Sequence, residues 1–183
     1  MIIGIDIDST ICNTTEAVLQ VHKENTGENL SIEDIKSYSI EKYVSKEYRK
    51  DFYKIFLDKR VWKRIELIDG CVKYIEMLSK EHDIYFVTST ELTNLVKKEK
   101  YLQRNFPFLN IRKKIIGIHN KQLLSGLDVL IDDCLENLIG GDYKKIVLDY
   151  AWNRDIDDKE NGLVRCKSWE EIYKVINEEV NRR

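Results

Sequence analysis

Residues Ile2 to Thr10 read IIGIDIDST, an apolar run of strand length closed by two carboxylates one residue apart and then two hydroxyls. Ending a hydrophobic segment in ionised carboxylates is costly unless something positive meets them. The run is β-branched and continuous rather than alternating, which marks a strand covered on both faces, as in a parallel sheet. Similar runs recur at Ile84–Val87 (IYFV), Lys114–Ile118 (KIIGI), Val129–Ile131 (inside DVLID) and Ile146–Leu148 (inside KIVLD). Amphipathic patterns flank the second run at residues 70–80 and 92–105. A last helix over residues 169–181 has Ser168 as its N-cap and Glu171 three residues on. Strand alternating with helix predicts an α/β fold, a doubly wound Rossmann-like parallel sheet.

Residues 13–69 break this rhythm, because they carry helical patterns and no convincing strand. We expect a small helical cap there, inserted after the first strand, with residues 1–12 and 70–183 forming the catalytic core. Asn13 with Glu16 suggests one helix start, Gly27 its stop, and Ser31 and Ser45 two further starts. The insertion is rich in aromatics: Tyr38, Tyr43, Tyr48, Phe52, Tyr53, Phe56 and Trp62. Phe52, Ile55 and Phe56 have helical spacing and read as the cap's own core. Tyr38, Tyr43 and Trp62 lie outside that stripe, which leaves Tyr43 and Trp62 as candidate substrate contacts.

The chain has 183 residues, 43% hydrophobic and 34% charged, with a formal net charge of −2. That balance gives no reason to expect a nucleic-acid polymer or an anionic membrane as partner. Nothing approaches the roughly 20 consecutive apolar residues of a membrane span. The first apolar run is too short for a signal-peptide core, and Asp6 breaks it. The four cysteines, Cys12, Cys71, Cys134 and Cys166, are scattered without a close pair. They read as reduced thiols in a cytoplasmic protein.

In an open α/β sheet, ligands gather outside the carboxyl ends of the strands. Asp6 and Asp8 close the first strand, Thr88 and Ser89 the second, and Asp132 and Asp133 the fourth, while Lys121 follows the third. Asp6 and Asp132, with Asp133 in support, make a hard-oxygen cluster suited to Mg²⁺. Thr88 and Ser89 offer hydroxyls and backbone N–H groups to a phosphate, and Lys121 adds a point charge. Such a set fits phosphoryl transfer, where positioning and charge neutralisation do most of the catalysis. Asp6, nearest the sheet, is the expected nucleophile, and Asp8 the general acid and base. A calcium loop of the EF-hand type is excluded, because its sixth and twelfth positions fall on Ile11 and Ala17. A serine hydrolase is disfavoured by the lack of any G-x-S-x-G elbow.

These motifs resemble the haloacid-dehalogenase-type phosphatases. The match runs through DIDST (Asp6 to Thr10), FVTS (Phe86 to Ser89), Lys121 and DVLIDD (Asp128 to Asp133). A closer resemblance is to the 5′(3′)-deoxyribonucleotidase branch. It rests on IELIDG (Ile65 to Gly70), Asn137 after LIDD, VLDYAWN (Val147 to Asn153) and KSWEEI (Lys167 to Ile172). The resemblance implies an aspartyl-phosphate at Asp6, proton transfer by Asp8, and Mg²⁺ held by Asp6, Asp132 and the backbone carbonyl of Asp8. It also implies a small phosphorylated substrate, a nucleoside monophosphate. Two positions depart from the pattern: Ser9 stands where glycine is usual, and His119 where the mammalian nucleotidases carry arginine. A histidine is shorter and carries only part of a charge at neutral pH, so His119 joins the candidate substrate contacts. The alternatives are the same chemistry on a sugar phosphate, or a phosphate-binding module without turnover, and the sequence leaves room for a homodimer.

Overall fold

The computed structural model describes residues 1–90 and 92–181. Among them, six parallel strands form one sheet: β1 (Ile2–Ile5), β2 (Asp83–Thr88), β3 (Ile115–Gly117), β4 (Val129–Asp132), β5 (Lys144–Leu148) and β6 (Leu163–Cys166). The spatial order is β3-β2-β1-β4-β5-β6, so the winding reverses between β1 and β4. That switch point is where such sheets open a crevice beyond their carboxyl ends. The helices are α1 (Thr14–Thr26), α2 (Lys46–Arg49), α3 (Lys59–Arg64), α4 (Cys71–Ser79), α5 (Leu92–Asn105), α6 (Leu135–Leu138) and α7 (Trp169–Asn181). Among the described residues, no helix is long and apolar enough to cross a membrane.

Side-chain alternation divides the strands between two apolar layers. Ile3, Ile5, Ile84, Phe86, Val129, Ile131, Ile146 and Leu148 share one cluster with Ile75 and Leu78 of α4, Leu102 of α5 and Trp169 of α7. The intervening Val87, Leu130 and Val147 share the other with Leu138 of α6 and Tyr143. Gly4 interrupts the apolar run because a Cβ there would lie 2.9 Å from Leu127 Cδ1 and 3.0 Å from Leu130 Cδ1. Five of the six strands are legible in the sequence. β6 is not, because only Leu163 and Cys166 of this edge strand are buried and Arg165 breaks its apolar run. At the start of α7, the Glu171 N–H donates to Ser168 Oγ at 3.2 Å, the cap that the sequence predicts.

A helical cap follows β1, and the chain leaves and returns through one seam. Asn13 N–H donates to the Glu66 carbonyl at 3.0 Å, and Ile68 N–H to the Ile11 carbonyl at 2.9 Å. Asn13 does not cap α1: its side chain accepts from Glu66 N–H at 2.7 Å and donates to Glu16 at 3.1 Å. α1 stops at Gly27, whose left-handed φ of 80° lets its N–H reach the Lys23 carbonyl at 2.8 Å. Ser31 starts only a 3₁₀ turn, Ile32–Asp34, whereas Ser45 opens the short α2. The aromatic stripe is 3₁₀ as well, Phe52–Leu57. In that geometry positions three apart eclipse, so Phe52 and Ile55 share a side and Phe56 turns away from it. His22 of α1 is buried against Tyr48 and Phe52, with Nε2 2.6 Å from Glu28 Oε2, a structural place.

The turn after β1 carries the one departure that the backbone explains. Ser9 has φ of 55°, the only positive value at a non-glycine position among the described residues. The left-handed region costs an L residue about 1–2 kcal/mol, which accounts for glycine being usual there. Its hydroxyl lies 2.9 Å from Thr15 Oγ1, a buried hydrogen bond that returns about 1 kcal/mol. Ser9→Ala keeps the strain and loses the bond, so it should cost about 1 kcal/mol, whereas Ser9→Gly should stay within about 1 kcal/mol of the parent. Urea denaturation checks the order, and a glycine variant less stable than the alanine one would contradict this account.

Candidate active site

The carboxyl ends of β1 and β4 place two aspartates on either side of the switch point. Asp6 continues β1, with its N–H donating to the Ile131 carbonyl at 2.9 Å, and Asp132 closes β4. Asp6, Asp132 and Asp133 are all buried, and one carboxylate oxygen from each lies within 4.8 Å of the others. Lys121, fully buried in the 3₁₀ turn Lys121–Leu123 after β3, donates to Asp6 Oδ1 and, at 2.6 Å, to Asp132 Oδ2. Asp132 also accepts from Cys134 N–H at 2.9 Å and from Asn137 Nδ2 at 3.1 Å. Asp133 accepts from Trp152 Nε1 at 3.1 Å. The Asn153 amide donates to the Asp133 and Leu148 carbonyls, each at 2.8 Å, and Arg165 of β6 donates to Asn153 Oδ1 at 2.5 Å. The unexpected edge strand thus braces the loop that carries Asp133.

Charge in this cluster is out of balance. Burial, the largest cause, lifts the Asp6 carboxyl from 3.8 to about 7; Lys121 pulls against it, and Asp132 and Asp8 push the same way. Burial followed by Asp132 and Asp6 raises Asp133 well above the carboxylate range. Burial opposes the charge on Lys121, yet Asp132 and Asp6 together outweigh it and hold the ammonium above the ordinary lysine range. Three carboxylates thus share one ammonium in a desolvated pocket. A compact set of hard oxygens with surplus negative charge suits a divalent cation.

Asp8 is set apart from that cluster. Its Oδ1 accepts from Thr14 Oγ1 at 2.8 Å, and its Oδ2 accepts from Lys98 Nζ, which also donates to Thr88 Oγ1 at 2.6 Å. Lys98 is the residue that sequence reasoning missed. It lies in the charged run Lys97-Lys98-Glu99-Lys100, whose composition suits a solvated helix face, yet it is only 4% exposed. The signal was phase rather than composition, since Lys98, Tyr101 and Leu102 form the buried side of α5 at helical spacing.

A cavity of about 320 Å³ opens between cap and sheet. Asp8, Ser89, Lys98, His119 and Asp133 line it from the core side, and Tyr38, Tyr53, Phe56 and Trp62 from the cap. Ser89 Oγ lies 3.0 Å from His119 Nδ1. Thr88 is buried behind them. Tyr43 is absent from the lining: its hydroxyl donates to Ser37 at 3.3 Å, and its ring packs on the main apolar cluster. Phe56, read from sequence as cap core, faces the cavity and stacks with Tyr53 at 5.9 Å. All four cysteines are buried and unpaired, and burial drives Cys71 and Cys166 up to about 12, which keeps these thiols protonated.

Solved structures share this architecture. A haloacid dehalogenase-like hydrolase from Streptococcus pneumoniae superposes with a TM-score of 0.66 at 13% identity, covering 96% of this chain and 97% of that one. A hydrolase of that superfamily from Bacillus subtilis, bound to magnesium, gives 0.60 at 16% identity over 96% and 98% of the two chains. A parallel sheet with an acidic cluster at its switch point and a cap after β1 is the haloacid-dehalogenase-like fold. Residues 1–182 match the family described as 5′ nucleotidase, deoxy (pyrimidine), cytosolic type C. The chain is 31% identical to a 5′(3′)-deoxyribonucleotidase of Clostridium acetobutylicum over 169 residues, 92% of this chain and 91% of that one. It is 27% identical to the Bacillus subtilis enzyme of the same name over 93% and 95% of the two chains. The chain belongs to the 5′(3′)-deoxyribonucleotidase family, whose members are phosphoric monoester hydrolases.

Proposed function

We propose that this protein is a cytoplasmic, Mg²⁺-dependent phosphomonoesterase acting on deoxyribonucleoside monophosphates, pyrimidine ones among them. The observation that carries the reading is the buried carboxylate cluster with Lys121 set between Asp6 and Asp132. Asp6, Asp132 and the backbone carbonyl of Asp8 would hold the ion, with Asp133 supporting them. When bound, the ion neutralises charge on the carboxylates and on the phosphoryl oxygens.

Asp6 attacks phosphorus, the ester P–O bond breaks, and protonated Asp8 gives its proton to the leaving alkoxide. Asp8, now a carboxylate, takes a proton from water. The water oxygen attacks phosphorus, the Asp6–phosphorus bond breaks, and inorganic phosphate leaves with Asp6 and protonated Asp8 restored. General acid–base help of this kind is worth about 10²–10⁴-fold. Thr88 Oγ1 accepts from Lys98, so its own proton is free for a phosphoryl oxygen. Ser89 and Lys121 complete the phosphate site, and His119, bonded to Ser89, stands at its rim. The aromatic cavity wall, Trp62 included, offers flat apolar faces to a base, and one stacked ring is worth about 1–3 kcal/mol.

Purified protein with Mg²⁺, offered deoxyribonucleotides, ribonucleotides and sugar phosphates, should release phosphate fastest from the deoxyribonucleotides. Turnover confined to sugar phosphates would overturn the substrate assignment.

A further inference from the structure

One buried ammonium takes no part in those transfers. Lys98 reaches inward from α5 and bonds Asp8 Oδ2 and Thr88 Oγ1, while Thr14 Oγ1 holds Asp8 Oδ1 at 2.8 Å. A cation held this deep is costly without a partner, and among the ion pairs of the described residues its partner is Asp8. We propose that Lys98 is a positioning residue that fixes the Asp8 carboxyl group for proton transfer and ties it to the phosphate site through Thr88.

An ammonium has three donors and no acceptor, so the oxygen it faces must stay an acceptor. The transferable proton of Asp8 therefore belongs on Oδ1. There the Thr14 hydroxyl, able to donate or accept, turns to suit either protonation state. Lys98 also prevents the carboxyl group from rotating, so the same oxygen is presented at each turnover. Without it, Asp8 remains in the site but its proton is no longer aimed. The inference rests on Asp8 being the acid and base.

Leaving groups separate that role from simple phosphate binding. A nucleoside alkoxide needs a proton as it departs, whereas p-nitrophenolate leaves without one. Single-turnover release of nucleoside from a deoxyribonucleotide and of nitrophenolate from p-nitrophenyl phosphate should be compared for wild type, Lys98→Met, Asp8→Asn and the double variant. Lys98→Met should slow nucleoside release about 10²-fold, while nitrophenolate release stays within about five-fold, the range left to general positioning. The double variant should be no slower than Asp8→Asn on the nucleotide, because the two act as one unit. Lys98→Gln, which keeps a donor, should show a smaller loss of the same selectivity and serves if the methionine variant does not fold. Equal losses on both esters, a rise in KM at unchanged kcat, or multiplying effects in the double variant would overturn the role of Lys98. If Asp8→Asn itself slows both esters equally, the acid–base reading of Asp8 fails first.

Discussion

Replacing Asp6 by asparagine is expected to lower turnover by about 10⁴-fold or more while the chain stays folded. An amide cannot open the phosphate ester or carry a phosphoryl group. The same substitution should change stability in a direction that only a strained carboxylate explains. In the metal-free protein the Asp6 carboxyl sits at about 7 against an ordinary 3.8, chiefly because it is buried. The folded state then keeps a proton that the unfolded chain has lost, so stability falls as pH rises between those two values. Asp6→Asn removes that slope. Above about pH 7 the metal-free variant should melt higher than the metal-free wild type, and Mg²⁺ should raise the wild-type Tm more than the variant's. Thermal melts across this pH range, with chelator and with Mg²⁺, check both signs. A variant that melts lower at every pH would contradict the charge imbalance at the site.

Lys121→Met carries the other large effect. The ammonium is fully buried between Asp6 and Asp132, and removing it leaves carboxylates without their neutralising partner. Breaking a buried pair in this way costs about 3–5 kcal/mol. The loss should be mostly recovered when Asp6 is also changed to asparagine, since the two groups share one interaction. Urea denaturation of the single and double variants in chelator decides the point. A double variant no more stable than Lys121→Met would show that Lys121 stabilises the fold by packing its stem rather than by its charge. Turnover should vanish in both variants.

The sheet is legible in the sequence where its strands are covered on both faces. Ile3 and Ile5, or Leu130 and Ile131, are apolar because either side of the sheet is dry, and a continuous β-branched run results. β6 lies at the edge, so half of its residues need not be apolar and the signal fades. The aspartates are legible because strand ends in such sheets converge, so that residues far apart in sequence declare a common place. Asp6 and Lys121 are 115 residues apart and bonded. What stays hidden depends on tertiary rotation. Lys98 looks like its half-buried neighbour Lys97 and the exposed Lys100 until the phase of α5 is known, and Phe56 looks like cap core until the segment winds as 3₁₀ rather than α. Asn153 and Trp152 sit in a short turn whose bonds to the Asp133 segment no local pattern announces.

Trapping the covalent intermediate tests the account most directly. Protein mixed with a deoxyribonucleotide and Mg²⁺, quenched in acid within one turnover and mapped by mass spectrometry, should carry a phosphoryl group on Asp6 and on no other side chain. A phosphoryl group on Asp8, Ser9 or Thr10, or nucleoside released with no phosphorylated protein at any quench time, would contradict it.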